Sequence, residues 1–268
     1  MTDKPLYARV PAARGWRWLM GAYALFSRSR LFWLQLILGY WMITIFLTLI
    51  PYIGVAVATL LKPVFAVGFL AAAWSQERGE PPKLSRLFDG FRSNLGALVP
   101  RGIVYGAGLA VAVMLSAVMD GGALMRLVLL GTEPSDAATN VMATPGIRSA
   151  MILAALCAIP TLLALWFAPA LIVFRDQPTW RALGLSLRAA LANPGAIIVY
   201  WTAVVFFWIV VPGLIIAFFA LFGRTGVLFG VALATPVTLG IVAVIHVADY
   251  VIYRDLFHHG ESMGSSKT

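Results

Sequence analysis

The chain has 268 residues, of which 61% are hydrophobic and only 12% charged, and it carries a formal net charge of +9. So apolar a chain cannot stay dispersed in water as an ordinary globular domain, and little length remains for a soluble catalytic domain beside its apolar runs. The excess of positive charge, which in a soluble protein would point to nucleic acid, reads here as orientation in a membrane, and no nucleic-acid partner is expected.

The N-terminal stretch is basic, with Lys4, Arg9, Arg14, Arg17, Arg28 and Arg30. Within it Trp16, Leu19, Met20 and Tyr23 recur at helical spacing, opposed by Arg14, Arg17 and Arg28. Such a pattern predicts an amphipathic helix in the headgroup plane, with Trp16, Trp18 and Arg17 as interfacial anchors. The first apolar run follows at 31–50 and the second at 52–74. The first starts too late for a secretory signal and lacks a small-residue cleavage site.

A second basic stretch carries Arg78, Lys83, Arg86, Arg92 and Arg101, and again shows an apolar stripe: Leu84, Leu87, Phe88 and Phe91 against Ser85, Arg86, Asp89 and Arg92. Apolar runs at 102–119 and 151–174 come next, joined by a long connection at 120–148 in which 123–130 suits a short helix capping the outer surface. A third basic stretch holds Arg175, Arg181 and Arg188, with Trp180, Leu183, Leu187 and Leu191 as its stripe. The last runs lie at 196–221 and 227–253, and Arg254 and Lys267 follow them. A hydrocarbon core about 30 Å thick takes about 20 residues at ~1.5 Å rise, so each of the six runs is near or above spanning length. The alternate connections hold only Arg126, Arg148 and Arg224, so the rule that basic loops stay inside places both termini in the cytoplasm.

The basic stretches also resemble one another. Pro82, Leu84, Leu87, Phe91 and Arg92 align without a gap on Pro178, Trp180, Leu183, Leu187 and Arg188, and Trp16, Arg17 and Leu19 align on Trp180, Arg181 and Leu183. The even-numbered runs contain proline (Pro63, Pro160, Pro169, Pro236) and end in Trp74, Phe174 and Tyr253. The expected fold is therefore an all-α integral membrane protein: six transmembrane helices in three hairpins, each preceded by a cytoplasmic interfacial amphipathic helix. The three pseudo-repeats cover about 11–75, 81–175 and 178–257 of one membrane domain, 1–257, with a polar tail at 258–268. Arg92, Arg181 and Arg188, with Trp180, join the anchors expected to meet anionic headgroups of the cytoplasmic leaflet. All three units begin on the same side, unlike inverted-repeat transporters.

Lys62 is the sharpest anomaly. It lies about 15 Å along its helix, near the bilayer midplane, where a lysine costs roughly 2.5–3.5 kcal/mol and generally faces an interior or a wet cavity. Pro63 follows it and frees a backbone carbonyl, which predicts a kinked second span. Possible partners stand on the sixth run: His246 and Asp249, three residues apart on one helix face, and Tyr250. Such a group can bind an anionic headgroup or relay protons, or simply pair two helices together.

Signals for catalysis are poor. Gly260-Glu261-Ser262-Met263-Gly264 matches a nucleophile elbow by letter, but it stands in a polar tail without the strand and helix that motif requires. His258-His259 has no further ligand nearby to complete a metal site. The single cysteine, Cys157, sits in an apolar run and reads as a packing residue. Gly102 and Gly106 allow close helix approach. No enzyme activity, cofactor or metal is expected.

Val10-Pro11-Ala12 with Arg14-Gly15-Trp16, then Gly79-Glu80-Pro81-Pro82 leading to Leu87-Phe88-Asp89-Gly90-Phe91-Arg92, and finally Tyr253-Arg254-Asp255-Leu256-Phe257, carry a resemblance over nearly the full length. The set resembles an uncharacterised family of proteobacterial six-span inner-membrane proteins. More distantly the layout is similar to the membrane domain of glycerophosphodiester phosphodiesterases, whose hydrolase domain has no counterpart here. The resemblance implies a bacterial inner-membrane location and supplies no catalytic residues. The expected function is non-enzymatic handling or transport of a lipid or other amphiphile, with a groove or cavity reaching Lys62. The alternative is a scaffold or assembly partner of another membrane complex.

Overall fold

The computed structural model describes residues 6–51, 53–93, 95–130 and 145–258, and every regular element among them is helical. In chain order these are α1 (Arg14–Ser27), α2 (Arg30–Thr48), α3 (Gly54–Glu77), a tight turn at Leu84–Phe88 running into α4 (Asp89–Arg92), α5 (Leu95–Asp120) and α6 (Ala123–Met125) with a wide turn at Arg126–Leu130. Then come α7 (Ile147–Trp166), α8 (Ala168–Arg175), α9 (Thr179–Leu191), α10 (Pro194–Val205), α11 (Val211–Ala220) and α12 (Gly223–Phe257).

Among the described residues six segments are long and apolar enough to cross a membrane: Arg30–Thr48, Gly54–Glu77, Leu98–Asp120, Ile147–Arg175, Pro194–Ala220 and Gly223–Phe257. They agree with the six apolar runs to within a few residues. Phe46, Val118, Ile152, Phe218 and Leu228 project outward from them, an arrangement that water penalises and lipid does not. Consecutive spans pack in pairs: α2 on α3 and α11 on α12, whose connections at 49–53 and 221–222 are too short to reach any other neighbour, and α5 on α7 despite a long connection.

The packed core lies at one end of the bundle, where α3 and α12 terminate, α1 packs on α12 and α9 packs on α7 and α8. Trp18, Trp33, Phe69, Phe167, Tyr200 and Tyr253 fill it. Most buried polar groups there are paired, as low polarity demands, although the Tyr200 hydroxyl and Trp74 Nε1 have no hydrogen-bond partner among the described residues. Trp33 Nε1 donates to Gln76 Oε1 at 2.7 Å, and Gln76 Nε2 donates to the Leu25 carbonyl at 3.0 Å. Arg14 grips Asp255 through Nε at 2.8 Å and Nη2 at 2.6 Å, and Trp18 Nε1 donates to the same carboxylate at 2.7 Å. The hydrogen bond to Asp255 raises the Arg14 guanidinium above its ordinary value. The segment before α1 is tied down by Asn193, whose Oδ1 accepts from the Val10 amide at 2.7 Å.

Several local expectations change. Trp18 is no interfacial anchor: it is 1% exposed, because α1 turns the face formed by Gly15, Trp18, Leu19, Ala22, Leu25 and Phe26 to the core and leaves Trp16, Met20 and Tyr23 outside. On α9, Ala182, Leu183, Leu185, Ser186, Ala189 and Ala190 are buried, so of the expected stripe Leu183 is enclosed while Trp180 and Leu191 are exposed. The middle basic stretch is not one helix but the turn and α4, and it docks on the middle of α3. A Cβ at Gly90 would lie 2.0 Å from the Val64 carbonyl oxygen, so only glycine lets these backbones touch. That contact brings a charged turn to within one helical turn of Lys62. The 123–130 stretch is helical as expected. Residues 131–144 of the long connection, His259 and the 260–264 pattern lie outside the described residues.

Candidate functional site

A cavity of about 880 Å³ lies among α3, α5, α7, α10 and α12. Its lining is mostly apolar, with polar groups from Lys62, Arg101, Tyr105, Trp166, His246 and Asp249. Each wall has a local cause.

On one side, α5 meets α3 backbone to backbone. A Cβ at Gly102 would stand 2.5 Å from Leu60 Cα, which confirms the close approach read from that glycine. The contact sets Arg101 and Tyr105, one turn apart, on the cavity face beside Lys62. Lys62 Nζ lies 3.2 Å from the Tyr105 hydroxyl and 4.7 Å from the ring centroid, combining a hydrogen bond with a cation–π contact. Arg101 is fully buried, and its Nε, Nη1 and Nη2 have no hydrogen-bond partner among the described residues.

The opposite side is shaped by a break in the fourth span. On α3 the helix continues through Pro63, whereas the fourth span is interrupted at Phe167, two residues before Pro169. Ser186 of α9 makes that break tolerable: its hydroxyl accepts from the Phe167 amide at 3.0 Å and donates to the Leu163 carbonyl at 2.7 Å. Backbone groups released from a helix inside a membrane need such a partner. The break aims Trp166 at α12, where its Nε1 donates to Asp249 Oδ1 at 2.8 Å. His246 Nδ1 lies 3.8 Å from Asp249 Oδ2, and its ring stacks on Phe69 with centroids 4.2 Å apart.

Three of the four residues predicted for an intramembrane polar site, Lys62, His246 and Asp249, thus share one cavity. Tyr250 does not join them. One residue along a helix is about 100° of rotation, and that turn sends its hydroxyl to Glu77 Oε2 at 2.5 Å, where Arg254 also pairs. Trp16, Arg17, Arg92, Trp180, Arg181 and Arg188 are all exposed. Arg101 was not singled out, because an arginine just before an apolar run reads as one more cytoplasmic loop cation. The available signal was Tyr105 four residues on, which marks a polar stripe entering the span.

The cavity has a side door. The fourth and fifth spans are not a packed pair. Ile159 and Leu162 on α7, and Ile198 and Trp201 on α10, line the cavity and are also exposed on the bundle surface. At one end the gap is closed by ring contacts, Trp166 stacked on Tyr200 at 5.9 Å and tilted against Trp201 at 5.6 Å.

The chain is 30% identical over 257 residues, 92% of its own length and 92% of the relative's, to a probable inner membrane protein of Burkholderia thailandensis. It belongs to that protein's family. With six spanning helices, it is a multi-pass inner-membrane protein. No family model matches the chain, and no solved structure does. Neither result links it to glycerophosphodiester phosphodiesterases.

Proposed function

We propose that this inner-membrane protein binds and handles a lipid or another amphiphile, without covalent chemistry, in the cavity that contains Lys62. The observation that carries the reading is the combination of a large apolar cavity, cationic groups within it, and an opening between the fourth and fifth spans. A soluble metabolite needs no apolar side entrance, whereas an amphiphile needs both a polar seat and a path for its chains.

The orientation follows from the same logic. The basic stretches support both termini in the cytoplasm, with α1 and α9 serving as interfacial elements, while the Leu84–Arg92 region, docked along α3, departs from that pattern. Trp16, Arg17, Trp180, Arg181 and Arg188 then meet anionic headgroups of the cytoplasmic leaflet.

Native mass spectrometry of gently extracted protein tests the proposal, with wild type beside Lys62→Met. An amphiphile adduct in wild type that is depleted in the variant supports it. Bare protein in both samples, with a stoichiometric membrane-protein partner, would instead establish the scaffold reading.

A further inference from the structure

Lys62, Arg101 and Asp249 give the cavity two cations and one carboxylate. The carboxylate is already engaged by Trp166, with His246 beside it, and Lys62 is engaged by Tyr105. Arg101 differs from all of these. It has no accessible surface, it lines the cavity, and all three guanidinium nitrogens are without a protein acceptor among the described residues. A guanidinium does not shed its proton in a protein, so burial cannot neutralise it as it would a lysine or histidine. An unpaired buried charge is among the costliest features a fold can carry. Its planar fork of donors matches an oxyanion in bidentate fashion, and a phosphate has oxygens to spare for a second cation.

We infer that Arg101 is the headgroup-recognition residue of this cavity, and that its ligand is an amphiphile with a net negative phosphate headgroup. This deepens the amphiphile reading and rests on it. Two cations against one carboxylate leave one positive charge, the complement of a single phosphodiester anion. A zwitterionic headgroup brings its own ammonium, which cancels its phosphate and leaves that positive charge unbalanced. The acyl chains leave through the opening lined by Ile159, Leu162, Ile198 and Trp201, all four exposed on the bundle surface.

The test uses the full chain in mild detergent as wild type, Arg101→Gln and Arg101→Lys, titrated separately with phosphatidylglycerol, phosphatidylethanolamine and inorganic phosphate. Thermal stability and native mass are read together. Phosphatidylglycerol is expected to bind and stabilise wild type. Arg101→Gln is expected to weaken that binding roughly ten- to a hundredfold, the value of a charge-assisted hydrogen bond converted to affinity. Arg101→Lys, which keeps the charge and loses the fork, is expected to fall between them. Without lipid, Arg101→Gln is expected to melt at the wild-type temperature or above it, since an uncompensated buried charge has been removed. A lower melting temperature without lipid would make Arg101 a structural residue and overturn the inference. Equal binding of the two phospholipids, or undiminished phosphatidylglycerol binding by Arg101→Gln, overturns it while leaving the amphiphile reading intact. Stabilisation by inorganic phosphate alone would assign the site to a free anion. Absence of lipid binding to wild type in every arm would remove the amphiphile reading itself.

Discussion

The second and fifth spans are both strongly apolar, yet over the most apolar 18 residues of each, 56% of the second is buried within the protein and only 6% of the fifth. The second carries Gly68 and the run Ala71, Ala72 and Ala73 on its enclosed half, and α2, α5, α8 and α12 close around it. The fifth displays Phe206, Ile209, Leu214 and Phe218 outward. Side-chain size, more than hydrophobicity, separates a helix that neighbours can approach from one that faces acyl chains. In a membrane both environments are apolar, and packing alone distinguishes them. The cavity forms between these extremes, where the enclosed post ends at Lys62 and the loosely held fifth span leaves a gap beside the fourth.

The largest test of this contrast is Phe69→Ala on the second span. Phe69 is 2% exposed and stacks on His246, so its loss should cost about 3–5 kcal/mol in reversible unfolding in mixed micelles. A cost comparable to that of a surface site would mean that the post is not rigidly packed. Ser186→Ala comes next. It strips both backbone groups at the Phe167 break of their partner and should cost about 1–3 kcal/mol. Hydrogen exchange at the Phe167 amide should rise with it, and unchanged protection would show that the break is held by other means. Asp255→Asn weakens the grip of Arg14, whose side chain is 32% exposed; with that screening, a loss of about 1–2 kcal/mol is expected, diminished by high salt. A salt-independent loss would assign the effect to Trp18 instead. The smallest effect belongs to the fifth span: Phe218→Ala should change stability by no more than about 0.5 kcal/mol, and a larger value would reveal a protein neighbour where lipid is inferred.

Much of the architecture was legible in residue order. The six spans follow from run length, and the observed helices extend or trim those runs by only a few residues. Lys62, His246 and Asp249 stood out because charge inside an apolar run is costly, and three-residue spacing already put the last two on one face. Tyr250 failed by a single step of helical rotation, which decides between the cavity and Glu77. Trp18 failed because α1 is apolar around most of its circumference, and composition does not say which apolar face the protein takes. The middle basic stretch has the same helical periodicity as its relatives, but Gly68 and Gly90 allow it to dock on α3 instead of extending as one helix.

Sequence alone determined that this chain lives in a membrane, how many times it crosses, and which few charges are out of place there. Those conclusions rest on transfer free energies, which depend on residue type and run length. Only the tertiary structure decided which charges share a space. Arg101 looks like an ordinary loop cation until Gly102 lets α5 close on α3 and seals it in, and the opening between the fourth and fifth spans exists only because other helix pairs pack better. Pairwise packing depends on shape across distant segments, and no local stretch of sequence records it.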